Sequence, residues 1–399
     1  MDIVYLDNNA TTRVDDAVTA AMLPFFGEKY GNASSMHTFG GEVQHALDRA
    51  RAHVAALLGA PDPADVIFTS CGSESDNTAI FSAIRAFPDK RHLITSRVEH
   101  PAVLNTFRYL QAQGYRVTFL GVDQDGKLDL GELQKAVSSD TALVSIMHAN
   151  NETGVVFPVE EAAAITKAKG ALFHTDAVQS AGKIPLDMKK SSIDMLSISG
   201  HKLHAPKGIG ALYVRKGTPF VPFLMGGHQE HGRRAGTENA PYIVGFGKAC
   251  ELALERLNEE NTRVKTLRDR LQAGLVEKIS NTRINGDCAS RLPNTLNLSF
   301  EFVEGEAILL MLSDFGIAAS SGSACTSGSL EPSHVLRAMG VPFTFAHGSI
   351  RFSFSVYNTD AEVDFVLSKM PAIIKRLREI SPFGKDGVSA SCTGGPTTA

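Results

Sequence analysis

The sequence predicts an α/β fold: a large lobe with a mostly parallel sheet covered by helices, joined to a smaller α+β lobe. Three observations lead there. Between Val66 and Val214 short β-rich runs alternate with amphipathic segments, the pattern of parallel strands linked by crossover helices. From about Ala240 the texture changes to a long, charge-laced helical stretch. Beyond it, strand-like and helix-like runs follow one another without the βαβ rhythm. At roughly 150 residues per domain, a chain of 399 residues has room for two or three lobes.

Taken in order, Val66-Ile67-Phe68-Thr69-Ser70 reads as a strand. It runs into Cys71-Gly72-Ser73-Glu74, after which Ile80, Ala83, Ile84 and Phe87 recur at i, i+3, i+4 and i+7, one face of a helix. The run 93–97 reads as the next strand, followed by His100 and a helix opened by Pro101, with Val103, Thr106, Phe107 and Leu110 on its apolar face. Further strands are expected over 116–120, 142–147, 171–175, 195–199 and 209–214. A helical stretch over about 240–279, with Leu252, Leu257, Leu267 and Leu271 among its apolar positions, is expected to link the lobes. Strands over 295–300 and 350–354 and helices over 305–313 and 362–377 complete the smaller lobe. The Gly/Ser/Thr-rich end of the chain carries no apolar periodicity and is expected to be disordered.

Composition narrows the function classes. Lys+Arg 39 against Asp+Glu 43 leaves a formal charge of -4, so no bulk attraction to nucleic acid or anionic lipid is expected. No apolar run approaches the length of a membrane span, and the first residues show neither the basic stretch nor the apolar core of a secretory signal. A cytoplasmic location is the resulting expectation. The five cysteines are odd in number and scattered, which predicts free thiols rather than a disulfide framework.

In an open α/β sheet, ligands bind beyond the carboxyl ends of the strands. Those positions carry Ser73 and Glu74, His100, Asn150 and Asn151, Asp176 and Gln179, then Ser199, His201 and Lys202. Any one of these alone is more often a helix cap or a satisfied turn residue than a catalytic group; together they converge on one sheet edge. Gly72-Ser73-Glu74-Ser75, at a strand-to-helix junction, is either a phosphate seat at a helix N-terminus or an acidic first turn. Neither the dinucleotide fingerprint nor the Walker pattern is present there. A lysine shielded behind an apolar strand, as Lys202 is, can form a Schiff base. Asp176 could pair with a pyridine nitrogen and His100 could stack on the ring, which makes these the parts of a pyridoxal phosphate site.

Ser320 to Ser329 strings small residues around Cys325, either a linker with an incidental thiol or a mobile nucleophile. The histidine pairs His201/His204 and His228/His231 lack a companion Cys or carboxylate in a metal-ligand spacing. Gly226 to Glu238 suits an anion better than a cation, so no metal is expected.

Several segments resemble the pyridoxal phosphate-dependent cysteine desulfurases of the class V aminotransferase family, NifS type. They are Tyr5-Leu6-Asp7-Asn8-Asn9-Ala10-Thr11-Thr12, Glu99-His100-Pro101-Ala102-Val103, Asn150-Asn151-Glu152-Thr153-Gly154, His174-Thr175-Asp176-Ala177-Val178-Gln179, Ser199-Gly200-His201-Lys202, Arg233-Arg234-Ala235-Gly236-Thr237-Glu238 and Ser321-Gly322-Ser323-Ala324-Cys325. The resemblance spans roughly residues 3 to 382. Departures are few: Ala33 stands where proline is usual, Ser73 where threonine is commoner, and His231 where arginine is frequent.

The resemblance implies a fold-type I homodimer with a large cofactor-binding domain over 14–258. It implies a small domain from 1–13 and 259–382 carrying the cysteine loop, with a flexible tail over 383–399. Lys202 would bind pyridoxal 5'-phosphate, Asp176 its ring nitrogen and Gln179 its hydroxyl. His100 would stack on the ring and move protons. Ser73, Ser199 and His201 would hold the phosphate, and Thr237 the phosphate of the partner subunit. Asn151 and Arg351 would grip the carboxylate of L-cysteine, and Cys325 would take its sulfur as a persulfide, leaving L-alanine. An iron–sulfur scaffold or another sulfur-acceptor protein would follow, with nitrogenase-type cluster assembly the expected role. A selenocysteine lyase or a transaminase would share Lys202 and Asp176, but Cys325 argues against transamination. A non-catalytic scaffold would need none of the three.

Overall fold

The computed structural model describes residues 3–321 and 332–382. Cys325 with its neighbours, and the end of the chain with Cys392, lie outside the described residues.

The seven strands expected between Val66 and Val214 all form. They are β1 (Val66–Thr69), β2 (His92–Ser96), β3 (Arg116–Leu120), β4 (Thr141–Ser145), β5 (Leu172–Asp176), β6 (Met195–Ser199) and β7 (Gly210–Val214). They make one sheet in the order β1-β7-β6-β5-β4-β2-β3, parallel except for β7, which runs antiparallel to both its neighbours. Every strand but the edge strand β3 is buried along its whole length. That is why these runs read as continuous β-branched and apolar stretches rather than alternating ones. Between β2 and β4 the order of travel across the sheet reverses, which opens a crevice beyond the strand ends at that point.

Helices cover both faces. α1 (Thr38–Leu58), α2 (Gly72–Ala86) and α3 (Pro101–Ala112) belong to this lobe. The apolar spacing picked out for α2 and α3 is the buried face: Ile80, Ala83, Ile84, Val103, Phe107 and Leu110 pack with Ile67 and Leu93 in one cluster. Thr106 turns its hydroxyl back to the Ala102 carbonyl at 2.8 Å and to Asn77 Oδ1 at 3.0 Å.

The helical stretch expected after Ala240 forms, but it is not continuous. α4 (Ala240–Glu255) ends at Arg256 (φ -88, ψ 2), and after a short turn Glu260–Val264 is π-helical before α5 (Lys265–Lys278) begins. The irregularity has a local cause: buried Glu260 accepts from Lys183 Nζ at 2.6 Å, and Asn261 Nδ2 donates to the Lys183 carbonyl at 2.7 Å. The wider turn brings both side chains onto one lysine. Apolar periodicity does not register such a polar pull. Phe246, Ala249 and Cys250 belong to the core of the large sheet, whereas Val264, Leu267, Leu271 and Leu275 belong to a second core.

That second core lies between α5, α6 (Gly305–Asp314), α7 (Asp360–Ile380) and an antiparallel sheet. The sheet is β8 (Thr282–Ile284), β9 (Thr295–Phe300) and β10 (Ser349–Ser353), with β9 central. α7 starts at a capping box, with Thr359 and Glu362 exchanging side-chain and backbone hydrogen bonds. The N-terminal residues join this lobe: Val4–Tyr5 pairs in parallel with Ile317–Ala318, and Asp7 bridges to Ser353. Among the described residues no helix is long and apolar enough to cross a membrane.

Candidate functional site

At the carboxyl ends of β2, β4, β5 and β6 lies an open cavity of about 340 Å³. Ser73, His100, Asn151, Asp176, Gln179, Ser199, His201, Lys202 and Arg351 all line it, so nine of the residues singled out in the sequence meet in one place. Each gets there by a short route. Asp176 and Ser199 are the last residues of β5 and β6, and Lys202 closes the 3₁₀ turn after β6. Ser73 lies in the first turn of α2, and His100 is the N-cap of α3.

The turn carrying Lys202 is clamped by the N-terminal arm. Thr12 donates through both N and Oγ1 to the His201 carbonyl, at 3.0 and 3.1 Å, and accepts from the His204 N–H at 2.9 Å. Lys202 Nζ donates to the carbonyls of Asn9 (2.5 Å) and Ala10 (2.6 Å), and Gln179 Nε2 donates to the same Asn9 carbonyl at 3.0 Å. The backbone of Asn9 thus forms a wall of the cavity. The segment Tyr5 to Thr12 stands out as a motif in the sequence, but the role of Asn9 is not legible there, because a carbonyl has no residue-type signature.

His100 Nδ1 accepts the N–H of Ala102 at 3.1 Å. A neutral imidazole with Nδ1 accepting carries its proton on Nε2. Burial, with help from Lys202, pushes His100 below the usual histidine range, although Asp176 opposes this. The helix cap and burial therefore both favour a neutral ring. His201 is likewise pushed down, to about 4, by burial and then by the Lys202 and Lys207 charges, and its Nδ1 meets Thr11 Oγ1 at 3.2 Å.

The cavity suits a phosphorylated pyridine on its own geometry. Ser199 Oγ is buried and has no hydrogen-bond partner among the described residues. It lies beside the N-terminus of α2, whose N-cap Cys71 supplies no side-chain cap, leaving the first-turn N–H groups to a ligand. Gly72 is required there, since a Cβ would stand 2.9 Å from Val178 Cγ2 and 3.5 Å from Ser199 Cβ. An acid for a ring nitrogen (Asp176), an amine for an aldehyde (Lys202) and hydroxyls for a phosphate (Ser73, Ser199) open on the same space.

The class-V aminotransferase family description matches residues 4–366. The chain belongs to the class-V aminotransferase family. Among curated relatives it is 61% identical over 386 residues to "Cysteine desulfurase 2" of Trichormus variabilis, covering 97% of this chain and 96% of that one. It is 57% identical over 380 residues to "Cysteine desulfurase NifS" of Azotobacter vinelandii, covering 95% and 94%. Among solved structures a "NIFS-LIKE PROTEIN" matches with TM-score 0.88 and 44% identity, covering 94% of this chain and all of that one. "SspA in complex with cysteine" matches at TM-score 0.78 and 35% identity, covering 89% and 100%.

In this class-V aminotransferase chain, Arg351 comes from the other lobe. Its Nη2 donates to Asp7 Oδ1 at 2.8 Å and its Nη1 to the Asn151 carbonyl at 3.0 Å, while its buried Nε has no partner among the described residues. Asn150, singled out beside Asn151, organises the turn instead: it donates to the Val98 carbonyl and accepts from the N–H groups of Glu152 and Thr153.

Thr237 does not reach this cavity within one chain. It lines a neighbouring one of about 210 Å³ with Ser70, Glu230 and Arg234. The arginines of that segment face inward: Arg234 forks onto Glu74 at 2.9 and 3.2 Å, and Arg233 Nη2 donates to the Ala64 carbonyl at 2.6 Å. Their expected availability to an anion is not what this arrangement offers. Glu230 and His231 both adopt left-handed backbone (φ 49 and 57), unusual in non-glycine residues. The buried ion pair of Glu230 with Arg51 (2.6 and 2.9 Å) and the Phe68 N–H at 3.1 Å hold that turn in place.

The residues on either side of 322–331 are tied to the cavity rim. Ser320 exchanges backbone hydrogen bonds with Arg351, the hydroxyl of Ser333 donates to Glu152, and His334 Nε2 contacts the Glu99 carbonyl at 3.0 Å. Burial pushes Glu99 up to about 8 and Glu152 up to about 7.

Proposed function

We propose that this chain is a pyridoxal 5'-phosphate-dependent cysteine desulfurase that moves the sulfur of L-cysteine onto Cys325 and releases L-alanine. Desulfurase activity rests on full-length identities of about 60% to cysteine desulfurases. The observation that carries the site assignment is the meeting of Lys202, Asp176, His100, Ser199 and Arg351 around one cavity.

Lys202 is the residue to bind the cofactor aldehyde, Asp176 its ring nitrogen and Gln179 its ring hydroxyl, while Ser73, Ser199 and His201 bind its phosphate. When bound, the cofactor supplies an electron sink for the substrate α-carbon. Arg351 and Asn151 bind the substrate carboxylate, and the guanidinium still has an unpartnered Nε to offer. His100 has Nδ1 occupied by the helix cap, so Nε2 is the atom at which it would hand on or receive protons. The thiolate of Cys325 attacks the substrate sulfur. The C–S bond breaks with its electron pair kept by the carbon fragment, which takes up a proton and leaves as alanine, and the enzyme retains a persulfide. The balance needs no external oxidant or reductant.

The proposal includes the division into residues 14–258 and 1–13 with 259–382, and a homodimer in which Thr237 serves the phosphate site of the second copy. Its sulfur acceptor is an iron–sulfur scaffold or a comparable protein, in the cytoplasm, with nitrogenase-type assembly the favoured role. Borohydride reduction of the yellow protein followed by peptide mass spectrometry is expected to find a pyridoxyl group on Lys202. A pyridoxyl group on any other lysine overturns the site. Cys325→Ala is expected to keep cofactor colour and lose alanine formation, sulfide release and the protein persulfide. Native rates in that variant would make a direct β-elimination lyase the better reading.

A further inference from the structure

A second carboxyl group opens on the same cavity and has no part in the chemistry above. Asp76 sits one turn into α2, 1% exposed, and lines the cavity together with Asp176, itself 7% exposed. Two carboxylates buried side by side repel, so one of such a pair holds a proton while the other ionises.

The surroundings decide which. Asp176 Oδ1 accepts the Val178 N–H at 2.9 Å; burial raises its carboxyl, but that hydrogen bond and the Lys202 charge on the same cavity favour its ionised form. Asp76 has no cation of its own. Its Oδ1 is buried without a hydrogen-bond partner among the described residues. His174 Nε2 lies 3.6 Å away, beyond hydrogen-bond range, and that ring is held neutral by burial. His174 already shares Nδ1 with Ser145 Oγ and Nε2 with Ser197 Oγ, both at 2.9 Å. Ser197, at the end of that chain, faces the Asp76 carboxyl. The remaining titratable groups facing Asp76 are Glu99 beyond β2 and Cys71 at the start of α2, and neither is a cation.

We propose that Asp76 is the protonated half of a buried carboxyl pair, a positioning residue that keeps the single negative charge of the pair on Asp176, where a pyridine nitrogen would be met. The Ser145–His174–Ser197 chain beside Asp76 supplies no charge that would ionise it. The consequence for the ring rests on the cofactor reading given above, but the proton count does not, since it concerns side chains present in the apoprotein.

Difference infrared spectroscopy of wild type against Asp76→Asn, in apo and cofactor-loaded protein at neutral pH, tests it. One protonated-carboxyl band is expected to vanish in the variant while the visible absorption of bound cofactor stays in place, because a neutral amide replaces a neutral acid. Retention of every such band, or a displaced cofactor absorption at neutral pH, would show that Asp76 is ionised and sink the proposal. Should Asp76→Asn fail to fold, Asp176→Asn carries the test with isotope-labelled aspartate marking the band. Removing the neighbouring charge should lower the pH at which the Asp76 band disappears by about one unit. No shift, or an upward one, overturns the pairing. A wild-type protein that binds no cofactor would defeat the reading of the site while leaving these infrared outcomes to stand or fall by themselves.

Discussion

The two sheets deliver functional groups in different ways. In the large sheet the strands are buried on both faces, so their interiors are given to packing and the cavity groups sit at or just past strand ends: Asp176, Ser199, Lys202 and, after β2, His100. In the small sheet one cavity group, Arg351, sits in the middle of β10. Ile350 and Phe352 on either side of it enter the small-lobe core, and Arg351 points the opposite way, onto Asp7 and Asn151. A strand that alternates can pack with one face and bind with the other, whereas a doubly covered strand can bind only at its tip. Substitutions at tips should therefore cost function, and those in β10 should split by parity.

The largest effect is expected at a tip. Lys202→Ala should reduce alanine formation from cysteine to background, a drop of about four orders of magnitude or more, with an unfolding midpoint close to wild type. Cysteine turnover and denaturant titration on the same preparation check both halves. Loss of fold alongside loss of turnover would break the separation of tip from packing.

Within β10, Phe352→Ala should destabilise the protein by about 3–5 kcal/mol, since Phe352 is fully buried in the small-lobe core. Denaturant unfolding with an unchanged m-value would show it. Its neighbour Arg351→Ala should act on substrate instead. Losing a charge-assisted hydrogen bond of about 1.5–3 kcal/mol raises KM roughly tenfold to a hundredfold. Steady-state kinetics read this directly, and a fall in kcat at constant KM would remove Arg351 from the carboxylate-binding role.

A pH-dependent effect is expected at Glu99, on the loop after β2. Burial raises its carboxyl from 4.5 to about 8, against the opposing hydrogen bonds from Ser96 and the Met147 N–H. Between those two values the folded protein binds more protons here than the unfolded chain, so its contribution to stability is present below about 4.5 and is lost as the pH rises toward 8. Apoprotein melting followed across that window should fall with pH at this site, and Glu99→Gln should flatten the slope. A slope that steepens in the variant contradicts the assignment.

Most of the strands, the helices facing them and eight of the nine cavity residues were legible in the sequence because they depend on local periodicity and on one topological rule, whereas Arg351, in the middle of a small-sheet strand, was indicated by the family resemblance alone. Apolar runs mark buried strands, and polar residues just past them fall where an α/β sheet leaves its crevice. The unread parts share a physical character. The carbonyls of Asn9 and Ala10 against Lys202 Nζ, and the Asp7 carboxylate against Arg351, join residues from opposite parts of the chain. Asp76 looks in sequence like one more polar position in a first turn, and only its burial beside Asp176 makes its proton matter. The π-helical turn at Glu260 and the left-handed pair Glu230–His231 arise from single buried partners, Lys183 and Arg51. Side-chain spacing determines where elements begin and which face they bury. Which backbone carbonyl meets an amine, which of two acids keeps its proton and where a helix must widen are set by distances between segments, and those exist only once the chain has folded.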